Sequence, residues 1–161
     1  MRRGFAVSGT IMKLDVHELP HVIAGSCLEV HRHLGPGLDF SCYKACLARE
    51  LRMREIMFRL DAPMTINYKG MEVAGAATLD FVVEDLIVIQ VLAVEALLPV
   101  HKEVLKNHLR LTGFETGFLV NFNVPHLREN GLKRIIVSSS EPKLPFTKTE
   151  GPVYADGGDG D

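Results

Sequence analysis

The sequence predicts one α/β domain in which two helices, three strands, a third helix and one or two closing strands build a mixed sheet flanked by helices. Three observations carry this. Apolar residues recur at helical spacing from Leu19 to about Ile56 and again from Leu98 to Gly113. Between Ala62 and Val94 the period falls to two, with Val, Ile and Leu dominant. Glycine and proline stand at the junctions between these segments.

Each element follows from its residues. Leu19-Pro20 opens the first helix with proline in its first turn; Ile23, Cys27, Val30 and Leu34 share a face until Gly35-Pro36-Gly37 ends it. Asp39 is the expected N-cap of the second helix, which places Phe40, Tyr43, Leu47 and Leu51 on its inner side. Met64, Ile66 and Tyr68 alternate with polar residues up to the Lys69-Gly70 turn. The segment Ala77–Glu95 reads as two strands around the acidic pair Glu84-Asp85, and the second strand is apolar on both faces, as expected in the middle of a covered sheet. Leu98-Pro99 begins a third helix carrying Val100, Val104, Leu105, Leu109 and Leu111. Phe114–Phe122 and Leu132–Val137 are the closing strands.

Within the central hairpin, Asp80 and Gln90 are the polar residues to explain. A two-residue turn would set them on opposite faces. An odd-length turn or a bulge puts Asp80, Gln90 and Leu92 on one face, and this is the expected register.

Composition bounds the rest. The chain has 161 residues, 47% hydrophobic and 24% charged, enough for one full core, and its net charge of −2 excludes a broad cationic footprint for nucleic acid. Three cysteines without metal-type spacing and no leader-like segment fit a reduced cytoplasmic setting, and no apolar run is long enough to span a bilayer. The expected organisation is a loose arm over residues 1–17, a domain over 18–137, and a disordered acidic tail over 138–161, rich in Ser, Pro and Gly.

The blocks GPGLDFSCYKACLARELRMREI, INYKG, LDFVVEDLIVIQVLAVEALLPVHKEVLKNHLRLTG and LVNFNVPHLRENGLKRI resemble the GxxExxY proteins, a group within the PD-(D/E)XK nuclease superfamily. The resemblance implies a nuclease-like core of order αβββαβ. It also implies magnesium-dependent phosphodiester cleavage, in which an Asp and a strand Glu hold the ion and a Lys two residues on orients water. A helix Glu, and a Gln and Tyr four residues apart on the later helix, complete the family pocket. Matched onto this chain, the Asp is Asp80, but the Glu and Lys positions hold Gln90 and Leu92, the helix Glu is Phe40, and the later pair is Val104 and His108. These six form a vestigial pocket. Phe, Leu and Val there are expected to fill and dry the former cleft, leaving no catalytic residues, no metal ligands and no cofactor.

The expectation is therefore a catalytically inactive relative that acts as a structural, self-assembling or partner-binding module, as a homo-oligomer or with a protein partner. The alternative is nucleic-acid binding or residual magnesium-dependent cleavage, for which Arg49, Arg52, Lys102, Lys106 and Arg110 are the candidate contacts. The wider run Arg49, Arg52, Arg54, Arg59 alternates with acids and reads as a solvated face. His17, His21, His31 and His33 lack a metal-site pattern, and Cys42 and Cys46 read as core thiols.

Overall fold

In the computed structural model, residues 4–7, 10–13, 15–138 and 153–154 are described. Strands β1 (Gly4–Val7) and β2 (Thr10–Lys13) form a small antiparallel hairpin where the sequence suggests a loose arm. Helices α1 (Leu19–Leu34) and α2 (Phe40–Met53) follow, then strands β3 (Phe58–Tyr68), β4 (Met71–Val83) and β5 (Ile87–Leu92). Helix α3 (Pro99–Thr112) leads to β6 (Thr116–Asn121), a wide helical turn at Leu127–Gly131, and β7 (Leu132–Ile136). The expected tail lies outside the described residues, except for Ser138 and the two-residue strand β8 (Val153–Tyr154), which pairs with Phe58 and Arg59.

Five strands in the order β7-β6-β5-β4-β3 make the main sheet, and β8 extends its edge. Neighbours are antiparallel except β5 and β6, whose parallel pairing is what a crossover through α3 produces. The α/β architecture expected from the sequence is the one observed.

The sheet is covered on both sides. Against α1 and α2, Ile23, Tyr43 and Leu47 meet Phe81, Ile89 and Val120; against α3, Leu105 and Leu109 meet Val82, Val88 and Leu119. This double cover explains why β5 is apolar at every position but Gln90, since its alternate side chains enter different cores. Near Asp61, β3 departs from simple alternation: Phe58 and Leu60 join the first core, whereas Ala62 and Met64 join the second. Asp61 itself has φ 53°, a left-handed conformation that lets a strand turn over.

The start of α2 is locked by its own sequence. Asp39 caps the helix through a 2.9 Å bond from the Ser41 N–H. One turn in, the Tyr43 ring stacks on Phe122 at 4.7 Å between centroids, its hydroxyl donates to the Gly35 carbonyl at 2.6 Å, and it accepts from the Leu38 N–H at 3.2 Å. The Gly37 N–H reaches Asn123 Oδ1 at 3.0 Å. The Gly-Pro-Gly segment is thus a clasp between two helices and the end of β6, beyond its role as a helix stop. Buried Asn121 does similar work at the other wall of that region, accepting from the Val94 N–H and donating to the Val94 carbonyl, both at 3.0 Å.

Tyr43→Phe keeps the ring stack and removes both hydroxyl bonds. The expected loss is about 1–2 kcal/mol, since each buried hydrogen bond contributes on the order of 1 kcal/mol. Urea unfolding with an unchanged midpoint would show that the clasp does not depend on the hydroxyl.

Candidate functional site

The turn between β4 and β5 holds Glu84, Asp85 and Leu86, an odd number, with Glu84 and Asp85 at φ 52° and 55°. The register that follows pairs Phe81 with Ile89 and so sets Asp80 opposite Gln90, on one face as expected. The two side chains meet: Gln90 Nε2 donates to Asp80 Oδ2 at 2.6 Å, and the Val91 backbone N–H donates to the same oxygen at 2.8 Å.

The other Asp80 oxygen faces a residue that family matching does not single out. Lys44, in α2, places its ammonium 3.3 Å from Asp80 Oδ1 and also bonds Asp61 Oδ1. Asp61 lies across from Asp80, because Leu60 pairs with Phe81 and Ala62 with Leu79. The Lys44 side chain is 14% exposed, Asp80 9% and Asp61 53%. The ammonium also stands 5.6 Å over the Phe40 ring, one helical turn earlier. Sequence signals for both residues exist in retrospect. Lys44 is four residues after the matched position 40, and Asp61 is the charged residue at which β3 changes face.

The local field is divided. Burial pushes the Asp80 carboxyl above its ordinary range, opposed by the Val91 N–H and the Lys44 charge. Burial pulls Lys44 down, but the Asp61 hydrogen bond and the Asp80 charge outweigh it, and its pKa is raised. The ammonium is therefore held charged between two carboxylates. His108, half-buried on α3, has its pKa lowered by burial with the Asp80 charge opposing, and its Nδ1 is buried without a hydrogen-bond partner among the described residues.

The cleft is not filled. A cavity of about 460 Å³ is bounded by Leu38, Phe40, Asp80, Gln90, Leu92 and Val94. Phe40 is 46% exposed and Val104 44% exposed, so neither plugs the site as the sequence reading expects. Phe40 stands at the first position of α2, at its mouth-facing end, and Val104 projects from α3 on a stripe with exposed Val100. Leu38, which lines the cavity beside Phe40, is exposed as well, and Leu98 is exposed just before α3.

A magnesium ion does not fit these donors. Among the described residues no group of three or more His, Cys, Asp and Glu is placed to hold an ion. Gln90 presents its amide nitrogen to Asp80, the Asp80 oxygens accept from the chain's own donors, and an ammonium already bridges the two carboxylates.

The basic candidates do not converge on this opening as a phosphate groove. Arg52 sits 5.5 Å over Phe58, Lys106 pairs with Glu103 at 3.0 Å, and Arg110 donates to Asn107 at 2.6 Å; Arg49 and Lys102 are exposed. Arg59 is no part of a solvated helix face: it is buried on β3 and paired with Asp85. Cys42 is exposed, which corrects its assignment as a core thiol, whereas Cys46 is half-buried and packs against the first core. His31 Nε2 is bonded to the Val124 carbonyl at 2.7 Å and His33 to Glu29 at 2.9 Å, both in structural roles.

A family model for the PD-(D/E)XK nuclease superfamily matches residues 17–135. No curated protein and no solved structure matches the chain.

The lowered pKa of His108 gives a sign for pH. Below about 6.5 the unfolded histidine takes up a proton that the folded one resists, so stability falls with pH there and is unaffected above it. Thermal melts of the unmodified chain and of His108→Leu across that range should diverge, with the steeper acid-side loss in the unmodified chain. Parallel curves would remove His108 from the account.

Proposed function

Because the chain belongs to the PD-(D/E)XK nuclease superfamily, we propose that it is a GxxExxY-type member in which catalysis has been lost and the domain acts through its surfaces, by self-association or by binding a protein partner. The observation that carries this reading is the state of Asp80. Both of its oxygens accept from Gln90, Val91 and Lys44, so the one carboxylate kept from the family pattern is committed to holding β4, β5 and α2 together.

Exposed apolar side chains near the starts of α2 and α3 support adhesion better than chemistry. Leu38, Phe40, Leu98, Val100 and Val104 are exposed on the segments that open α2 and α3. Large apolar side chains left in water at the start of each helix, Leu38 with Phe40 and Leu98 with Val100, are candidate contact points. The outer edge of β3 adds a second opportunity. Among the described residues strand β8 pairs with Phe58 and Arg59, and the β3–β4 hairpin beyond them ends in exposed Tyr68 and Met71.

Nucleic-acid binding is the weaker reading, since three of its five candidate basic side chains are engaged by Phe58, Glu103 and Asn107. Among the described residues no helix is long and apolar enough to cross a membrane.

Two measurements test the proposal. Purified protein should leave single- and double-stranded DNA and RNA intact with magnesium or manganese; cleavage that is abolished by Asp80→Ala would overturn the loss of catalysis. In size-exclusion chromatography with light scattering, the chain should run as a dimer or larger. A monomer at tens of micromolar, on the order of the concentrations at which specific interfaces form, would remove self-association and leave a heterologous partner.

A further inference from the structure

We propose that Lys44 is a built-in replacement for the metal ion of this fold: its ammonium occupies the cation position between Asp61 and Asp80 and keeps divalent ions out. The inference rests on the reading of the chain as an inactive nuclease relative, and it assigns the means.

Charge and geometry argue together. Lys44 Nζ lies 3.3 Å from Asp80 Oδ1 and is bonded to Asp61 Oδ1, so the two carboxylates converge on one point. A hard divalent ion seeks such a point, with oxygen ligands at about 2.0–2.6 Å. With Lys44 present the trio carries a net −1, too little to hold a dication against its hydration. Without it the two carboxylates carry −2, matching the ion. The ammonium is tethered by its own chain, so it competes at an effective concentration that free ions do not reach.

The neighbouring changes fit this exchange. Position 40, a Glu in the family pattern, is a phenyl ring whose face takes the ammonium at 5.6 Å. An acid there would draw Lys44 away from Asp80. Position 90 is a neutral amide whose nitrogen bonds Asp80; a second carboxylate facing Asp80 would repel it and need more positive charge than one lysine supplies. Position 92 is Leu, and a second lysine there is unnecessary once α2 delivers one. Gln90 Oε1 is left buried with no partner among the described residues, a neutral oxygen on the side chain that bonds Asp80.

The test is manganese binding by isothermal calorimetry, with electron paramagnetic resonance of the bound ion as a second readout. Lys44→Met keeps the length of the buried stem and removes the charge. It should bind one manganese ion at least about tenfold more tightly than the unmodified chain, by the loss of a competing cation and the gain of net negative charge, and adding Asp61→Asn should abolish the gain. Where Lys44→Met does not fold, Lys44→Gln carries the same comparison. A folded variant with no gain in manganese affinity would overturn the proposal, as would an unmodified chain that already binds as tightly as the variant. Cleavage by the unmodified chain would instead count against the functional reading, so the two can fail separately.

Discussion

The hydrogen bond from Gln90 to Asp80 depends on a register that one residue more or less in the preceding turn would destroy. Glu84, Asp85 and Leu86 make an odd turn, and the consequence runs along both strands: Phe81 and Ile89 face α1 and α2, Val82 and Val88 face α3, and Asp80 meets Gln90. A slip by one residue would carry Asp80 to the other face and break the apolar division of the sheet at the same time. The polar pair and the two cores are therefore fixed by one constraint. The Val91 N–H completes it, bonding Asp80 and tying the polar pair to the backbone of β5.

That constraint was legible in the sequence, and so was most of the fold. Pro20, the Gly35-Pro36-Gly37 stop, the Asp39 cap and Gly113 mark helix limits through local chemistry that tertiary packing seldom overrides. The run of β5, apolar except at Gln90, signalled a sheet covered on both faces. What escaped depends on contacts between segments remote in the chain. Lys44 looks like an ordinary helix-surface lysine, and only the approach of α2 to β3 and β4 brings it to Asp61 and Asp80. Phe40 shares helical spacing with Tyr43 and Leu47 yet stands at the first position of α2, where the helix has run past the edge of its cover. Periodicity gives direction around an axis; it does not say how far along that axis the neighbour extends.

The same limit explains the cysteines and Arg59. Cys42 and Cys46 are four residues apart on one side of α2, but only Cys46 reaches the core, as a half-buried neighbour, while Cys42 is exposed. Arg59 continues an arginine-rich helix by composition, whereas the chain has by then become a strand, and its guanidinium is buried against Asp85. Residue type signals polarity at such positions. Which partner neutralises the charge is decided by topology.

A nuclease cleft has two requirements that oppose each other in water: it must expose carboxylates close together, and it must balance their charge with ions drawn from solution. On the proposed reading the second requirement is met from within, by the Lys44 ammonium that contacts Asp61 and Asp80. Once Lys44 neutralises part of the charge of Asp61 and Asp80, the surrounding positions no longer have to be hydrophilic to admit a hydrated ion or a phosphate. Leu38 and Phe40, which line the cavity, remain half in water. Their exposure costs free energy unless something covers them, by about 25 cal/mol for each Å² of apolar surface left wet. On the proposed reading, the internal cation and the exposed Leu38 and Phe40 that line the cavity are linked, and those two side chains still have free energy to gain from a partner.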